Sequence, residues 1–507
     1  MSRKPDHTPT LSSNSSRVRA ALANTSYLVF AEATKPALSF LLILVISRTL
    51  GREGMGTYTI ILSISALFEL LATAGLPIVI VRGIAADRSR LSYYMSASAG
   101  VAILTTLILL PLVEVFLRLL HYPPPIETGI RWLTFTIVLT TIQQYTIAIC
   151  EGLQNMKLRA GLSTCDTLGR LIIGVVMIFS GHGIIGIIQG MIAVRALTTA
   201  IAVIILRRQA TLSFPVRDLI SHSVLLLRTS LPFLVTLIAN TLFWSINTIM
   251  LSKMVTVEQV GVYNAAYRLM DIARTIFFSY LIVLLPMMAA SFTESLERLK
   301  HECEMSIKYL ALAAIPLATA TSVLADRIVR LIYGPKFAAA VPLLQVLIWT
   351  ACVFCIVLVL ARLLVASNNQ ISDLFCNIVA VLVNIGLGWV LIRAFGALGA
   401  GIADLVSLAV FGALEYLIVA RRLFAPDVLG PIGRALAASG TMAIALYATR
   451  TYPLFLTLLA GAAVYALALI ALRTFSAEER TMISELINDA CHRLLPTELR
   501  PADGAGD

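Results

Sequence analysis

Fourteen apolar stretches, most of them about 20 residues long or longer, run through the 507-residue chain. A helix of about 20 apolar residues crosses the hydrocarbon core of a bilayer, so each stretch predicts a transmembrane helix. The composition agrees, because 58% of the residues are hydrophobic and only 13% are charged. The sequence therefore predicts an all-α polytopic membrane protein with about 14 transmembrane helices. The predicted spans are 24–47, 57–81, 93–117, 132–150, 161–180, 184–206, 230–252, 261–288, 306–325, 341–365, 372–392, 397–420, 435–449 and 453–472.

Basic residues lie mainly in the short turns between these stretches. The formal net charge of +11 would also suit a nucleic-acid-binding protein, but basic residues in such turns act as topology signals. Most of them fall on one side of the membrane when the N-terminus is placed in the cytoplasm, and an even number of spans returns the C-terminus to that side. We therefore expect a multi-pass protein of the cytoplasmic (inner) membrane, with both termini cytoplasmic and no nucleic-acid partner.

The chain repeats itself once in the same direction. Glu53-Gly54-Met55-Gly56-Thr57-Tyr58 returns about 205 residues later as Glu258-Gln259-Val260-Gly261-Val262-Tyr263, and Arg48 falls on Lys253 at the same offset. A parallel repeat is typical of transporters that hold their substrate between two halves. Six crossings per half fit the spacing, so the sequence predicts two parallel six-helix bundles and two extra helices. The predicted segments are a cytoplasmic N-terminal tail (1–23), an N-terminal bundle (24–206), a cytoplasmic linker (207–229), a C-terminal bundle (230–420), two extra transmembrane helices (421–472) and a cytoplasmic tail (473–507) with a short amphipathic helix around Glu478–Leu494.

Charged side chains deep inside the predicted spans indicate a water-filled cavity, because an unpaired charge at the bilayer centre is costly. Glu32 and Lys35 share one face of the first span, and Arg268, Asp271 and Arg274 form a stripe on the eighth. That stripe is net positive, which suits an anionic group such as a phosphate or pyrophosphate. The candidate substrate-binding residues are Lys35, Arg268, Arg274, Arg195 and Arg362. The candidate coupling or gating residues are Glu32, Glu69, Asp271 and Asp404.

Other buried charges have two readings each. Asp166 and Arg170, one helix turn apart, form either a self-neutralising structural pair or part of the cavity. Arg195 and Arg362 either line the cavity or extend their heads to the membrane interface. Glu415 lies close in sequence to Arg421 and Arg422, which favours a structural ion pair.

Enzymatic signatures are missing from the sequence. There is no phosphate-binding G-x-x-x-x-G-K-[ST] loop, and the six histidines fall in tails or short loops. Cys352 and Cys355 form a single CxxC with no second pair, which is more typical of packing residues than of a metal site. No outward loop is long enough for a catalytic domain. We therefore expect no catalytic residues, no bound metal, no cofactor and no enzymatic activity.

Several short motifs occur in a fixed order along residues 20–420. They are Ser47-Arg48-x-Leu50-Gly51-Arg52-Glu53-Gly54-x-Gly56-x-Tyr58, Ala74-Gly75-Leu76, Leu231-Pro232, Asn247-x-Ile249-Met250-Leu251, Val260-Gly261-Val262-Tyr263-x-Ala265-Ala266-Tyr267-Arg268-Leu269, Tyr333-Gly334 and Asn368-Asn369-Gln370. With these motifs the chain resembles the polysaccharide transporter family, the O-antigen or lipid-linked oligosaccharide flippases. That family belongs to the superfamily that also contains the multidrug extruders and lipid II flippases. One departure is Asn247, where many relatives carry Asp, so a protonatable group is missing there.

The resemblance implies two bundles in a V that alternate between inward-facing and outward-facing states. It also implies a flippase that moves a polyprenyl-pyrophosphate-linked oligosaccharide from the cytoplasmic to the outer leaflet, for lipopolysaccharide O-antigen or exopolysaccharide synthesis. Its expected partners are that lipid-linked oligosaccharide, the lipid bilayer, and the polysaccharide polymerase and chain-length machinery. The alternatives are a multidrug or cation antiporter of the same superfamily and a transport-inactive scaffold of glycan assembly. A membrane-embedded polymerase or ligase would need the long outward loop that this chain lacks.

Overall fold

The computed structural model describes residues 11–207 and 216–475, together with Glu479 and Thr481. The side chains of residues 11–33 and 216–221, and a few others in the two longest helices of the second half, lie outside this description. The described residues form α-helices and two short 3-10 turns, with no strand among them. The helices are α1 (Leu11–Thr73), α2 (Leu76–Ala86), α3 (Leu91–Leu120), α4 (Pro124–Phe135), α5 (Ile137–Gly152), α6 (Met156–Phe179), α7 (Gly183–Arg207), α8 (Val216–Met254), α9 (Val257–Glu294), α10 (Leu296–Val323), α11 (Ala325–Tyr333), α12 (Ala340–Ala366), α13 (Gln370–Phe395), α14 (Ala397–Arg422), α15 (Leu429–Ala448) and α16 (Leu454–Ala471).

Many of these helices are long and apolar enough to cross a bilayer. Ten of those in the described part meet that requirement by length and composition. An eleventh crossing results if α4 and α5, bent by 48° at their junction, act as one broken span. In addition, α8 and α9 have 39 and 38 residues, nearly twice the length that a crossing needs. The all-α, multi-pass membrane architecture is thus confirmed, whereas the number of fourteen spans stays a prediction.

The turn predicted after the first span is a sharp break inside α1. Gly51 has φ 69° and ψ −161°, a backbone conformation that is open essentially to glycine alone. The break separates the first two predicted spans without an intervening loop. A glycine two residues before the repeated motif therefore makes the turn.

Two predicted spans are not continuous helices. Span 57–81 is interrupted because Ala74 and Gly75 both have positive φ, 51° and 70°, which ends α1 and begins α2. Span 132–150 is interrupted at Thr136, between α4 and α5. Apolar residues flank both breaks, so the hydropathy pattern does not indicate them.

The helices group into two compact units. The first comprises residues 1–272, 326–347 and 374–411, and in it α1 packs against α6 and α8 while α2 packs against α5. The second comprises 273–325, 348–373 and 412–507, and in it α15 packs against α10 and α16. The segment boundaries predicted from the repeat stay predictions. The helix expected around 478–494 and part of the expected 207–229 linker lie outside the described residues.

Candidate functional site

A three-membered polar group joins α1, α5 and α7 in the first unit. Arg195 Nη1 lies 2.9 Å from Glu69 Oε1 and donates a 2.6 Å hydrogen bond to Thr140 Oγ1. Thr140 in turn donates to Glu69 Oε1 at 3.2 Å. The side chains of Arg195 and Glu69 are only 15% and 23% exposed. Arg195 is therefore held in the interior by an acid and a hydroxyl, which favours the reading in which it lines a cavity.

A second ion pair lies on α6. Arg170 Nη2 is 2.5 Å from Asp166 Oδ2, across one helix turn. Asp166 is buried, and its Oδ1 lies 3.4 Å from the hydroxyl of Thr198, which also accepts a hydrogen bond from Gln143. Asp166 and Arg170 thus form the structural pair that the sequence allowed.

The two polar groups border neighbouring cavities that share lining residues. The larger, about 210 Å³, is lined by Glu69, Arg195 and Arg170. The smaller, about 140 Å³, is lined by Arg170, Tyr58 and Arg268, and it shares Leu62 and Met191 with the first. Arg170 therefore lies between the two cavities while remaining paired with Asp166, so both readings of this residue hold. We call these two volumes the arginine cavity.

The formal charges of the arginine cavity are balanced, but its hydrogen-bond donors are not. Three arginines (Arg170, Arg195 and Arg268) meet three acids, and the pair between Arg268 and Asp271 is loose, with a nitrogen–oxygen distance of 3.9 Å. The buried Nε atoms of Arg195 and Arg268 have no acceptor among the described residues. An unsatisfied buried donor is costly, and an anion with several oxygens satisfies such donors well. The cavity can thus accept an anionic group between its arginines.

A separate polar cluster surrounds Asp404 on α14, also in the first unit. Asn384 and Asn247 donate their amides to Asp404 Oδ1 at 3.2 and 3.4 Å, and all three side chains are at most 5% exposed. The amide oxygens of both asparagines have no donor among the described residues. Amide and carboxylate oxygens are among the ligands that a hard cation prefers, and the two amide oxygens here are buried without a donor in the described part of the chain. This cluster has the chemistry of a cation site and lies apart from the lining residues of the arginine cavity.

The other residues predicted for the site are not among those that line the arginine cavity. Arg274 belongs to the second unit, where its guanidinium lies 5.5 Å from the centre of the Phe354 ring. Arg362 is half-buried there, and its Nε has no acceptor in the described part of the chain. Lys35 is half-buried on α1, and the side chain of Glu32 lies outside the described residues.

Glu415 corrects one expectation from the sequence. It is fully buried, and neither carboxylate oxygen has a donor among the described residues. Arg422 instead donates to Asn369 and Ser372 at 2.8 and 3.0 Å. The structural ion pair expected between Glu415 and the neighbouring arginines is therefore wrong, because the long arginine side chain extends to the turn between α12 and α13.

Two residues of the site were not singled out from the sequence. Thr140 bridges Glu69 and Arg195, and Tyr58 lines the smaller cavity next to Arg170 and Arg268. Tyr58 belongs to the repeated E-x-x-G-x-Y motif, which was a usable signal for its importance. Thr140 had no such signal, since a threonine within an apolar run usually donates to the carbonyl of the preceding turn.

Comparison with known proteins agrees with this architecture. The sequence model of the family described as polysaccharide biosynthesis protein matches residues 21–292, and that of the MatE family matches residues 232–390. The chain is 25% identical over 265 residues to the probable flippase AglR of Haloferax volcanii, which covers 48% of this chain and 53% of that protein. The chain thus spans about half the length of this curated relative.

Solved structures share the fold at low sequence identity. The lipid II flippase MurJ in an inward closed conformation superposes with a TM-score of 0.75 and 14% identity, covering 88% of this chain and 98% of that one. An inward-facing multidrug resistance MATE transporter gives a TM-score of 0.65 and 14% identity, covering 77% and 94%. The molecule accordingly shares the fold of these membrane transporters. Since one family model matches more than half of its residues, the chain belongs to the polysaccharide biosynthesis protein family.

Proposed function

We propose that the protein flips a polyprenyl-pyrophosphate-linked oligosaccharide from the cytoplasmic to the outer leaflet of the cytoplasmic membrane by alternating access. The arginine cavity is the observation that carries this proposal. Arg195 and Arg268 offer unsatisfied buried Nε donors there, and Arg170 lies between the two volumes. A pyrophosphate has enough oxygens to accept from several guanidinium groups at once.

In this proposal the acids of the cavity hold the arginines while no substrate is bound. Glu69 and Asp271 each pair with one arginine, and an entering pyrophosphate competes with them for the same donors. The loose pair of Arg268 and Asp271 is the easier one to exchange, because its atoms are 3.9 Å apart. Release of the substrate restores the internal pairs. The predicted roles of Lys35, Arg274 and Arg362 in binding remain part of the proposal for the full transport path.

Asp404 is the residue that we assign to energy coupling. Its cluster offers a carboxylate and two amide oxygens to a cation, and this site shares no lining residue with the arginine cavity. Position 247 carries an asparagine and so supplies no carboxylate to this cluster. Asp404 supplies one instead. Binding of a sodium ion or a proton at Asp404 would then bias the two conformations without competing with the pyrophosphate.

The test is translocation of a fluorescent polyprenyl-pyrophosphate oligosaccharide by the protein reconstituted in liposomes. Arg268→Gln should lower the rate by at least about tenfold, since it removes a charged donor to the substrate. Arg330→Gln is the matched control, because Arg330 is exposed and its one ion pair among the described residues is with Asp326, one turn away. Asp404→Asn, assayed under imposed sodium and proton gradients, should lose the dependence on one of them.

The outcomes separate the alternatives. Translocation that falls in Arg268→Gln and not in Arg330→Gln supports the flippase. Export of organic cations that requires Glu69 and tolerates Arg268→Gln supports the multidrug antiporter, which the match to the MatE family also favours. If the folded protein translocates nothing and tolerates all of these substitutions in cells, the scaffold is the better reading.

A further inference from the structure

The two copies of the repeated motif touch each other. A methyl group added to Gly56 would overlap the carbonyl oxygen of Val257, and one added to Gly261 would overlap the carbonyl oxygen of Arg52. Gly261 is Gly56 moved on by 205 residues, and Val257 is Arg52 moved on by the same number. The same contact thus occurs twice, once in each direction. The α1 and α9 backbones come this close only because both motif positions are glycine.

The reciprocal pattern extends to the basic residue that precedes each motif. Arg48 donates to the carbonyl oxygens of Leu331 and Ile332 at 2.6 and 2.8 Å, in the last turn of α11. Lys253 donates to the carbonyl oxygen of Leu120, the last residue of α3. Arg48 and Lys253 are again 205 residues apart, and each belongs to the opposite predicted half from the helix end that it caps.

The capped helix ends are themselves equivalent. Leu120-x-Tyr122 and Leu331-x-Tyr333 are 211 residues apart and extend the repeat beyond the motif. A cation at a helix C-terminus is stabilised by the unpaired carbonyls and by the helix dipole. The ammonium of Lys253 also lies 3.2 Å from the centre of the Tyr122 ring, which adds a cation–π contact.

An ion pair completes this surface. Arg52 Nη2 lies 3.4 Å from Glu258 Oε2, and both side chains are substantially exposed, at 41% and 54%. Arg48 and Lys253 are exposed as well. Exposed polar contacts are individually weak, so a set of them can hold two elements together and still be broken reversibly.

We propose that these reciprocal contacts form a latch that closes one end of the transporter and opens once in each transport cycle. The latch consists of the two glycine contacts, the Arg48 and Lys253 caps, and the pair between Arg52 and Glu258. Every contact joins one predicted half to the other, so the halves cannot separate at this end while the latch is intact. The topology predicted from the basic residues places this end on the outer face. The proposal rests on alternating access in the proposed function, but closure of the latch does not depend on which substrate is carried.

The first test joins the latch covalently. Arg52→Cys/Glu258→Cys is treated with a short reducible bis-methanethiosulfonate, beside the unmodified chain as the control for its native cysteines. Cross-linking should stop transport, and a thiol reductant should restore it. The latch is rejected if the cross-linked protein transports as fast as the reduced protein.

The second test loosens the latch and needs no substrate, so its failure is distinguishable from failure of the proposed function. Arg48→Ala/Lys253→Ala, added to the cysteine pair, should lower the initial rate of cross-linking about three- to tenfold, because both caps are lost. Arg118→Ala/Arg330→Ala is the matched control, since these arginines lie on the same two capped helices and, within the described part of the chain, each forms an ion pair only with an acid one turn away.

A third variant keeps the test decisive if loss of both caps impairs folding. Gly261→Ala should lower cross-linking at least as strongly, because the added methyl group meets a backbone oxygen that cannot rotate aside. Gly386→Ala, where an added methyl group meets open space, is its control. Cross-linking that proceeds at the control rate in both folded variants would overturn the proposal.

Discussion

At the scale of single residues, the deep charges of this chain are organised by pairing. Glu69 and Arg195 are 126 positions apart in sequence, yet their side chains form a 2.9 Å pair in the interior. Removing one member of a buried pair leaves the other uncompensated, which is more damaging than removing both. Each acid near the arginine cavity therefore has a structural task in addition to any role in transport.

We predict that Glu69→Leu lowers the free energy of unfolding by about 1–3 kcal/mol, because Arg195 then lacks its acid. The double variant Glu69→Leu/Arg195→Leu should recover most of that loss. Thermal unfolding of the purified protein in detergent measures both. If the double variant is as unstable as the sum of the two single variants, the pair is not coupled as the geometry implies.

At the scale of elements, the breaks in the helices set the architecture as much as the helices do. Gly51 divides α1 just before the repeated motif, and the left-handed pair Ala74 and Gly75 separates α1 from α2. The break at Gly51 leads directly to Arg52 and Gly56, which take part in the latch. The backbone conformation of Gly51 thus sets the direction in which the chain enters the motif.

We predict that Gly51→Val destabilises the protein by about 1–3 kcal/mol, since a β-branched side chain cannot adopt φ 69° and ψ −161° without strain. Gly161→Ala in α6 is the control, because the added methyl group meets open space and alanine favours the helix by about 1 kcal/mol. The two thermal unfolding midpoints, compared with that of the wild type, should shift in opposite directions. A Gly51→Val protein as stable as the wild type would contradict the strained conformation.

The sequence was informative at positions where a charged residue or a glycine interrupts an apolar run. The turn at Gly51 could be predicted because charged residues and glycines interrupt an apolar run, and Arg195, Arg268 and Asp404 could be singled out because charges stand out in such runs. The break at Thr136 could not be predicted, since it lies between apolar residues and hydropathy does not encode backbone dihedral angles. Nor could the partner of Arg195 be predicted, because packing alone brings Glu69 and Thr140 to it.

At the scale of the whole molecule, the parallel repeat and the basic turns fix the expected topology. The turn that includes Arg88 and Arg90 is basic, whereas the end of α3 at Tyr122 lies on the opposite side of the membrane if α3 is a single crossing. Lys253 then shares the side of Tyr122, which it contacts. Arg48 shares that side as well, because the glycine contacts join the motif that follows Arg48 to the motif that follows Lys253.

We predict that alkaline phosphatase is active when fused after Tyr122 and inactive when fused after Ser89, because this enzyme folds only outside the cytoplasm. A fusion at the C-terminus should also be inactive if the number of spans is even. A cytoplasmic reporter such as a fluorescent protein should give the complementary pattern at the same positions. The reverse pattern would invert the predicted orientation and move the latch to the cytoplasmic face.

The reciprocal contacts also bear on how the chain tolerates mutation. Because the cap and the glycine contact each occur twice, loss of Arg48 alone leaves the cap by Lys253 and both glycine contacts in place. Loss of one cap should then be buffered, and damage should rise steeply only when the equivalent cap is lost as well. Redundancy of this kind lets the two copies diverge one residue at a time, and the arginine at 48 beside the lysine at 253 is an instance of such divergence.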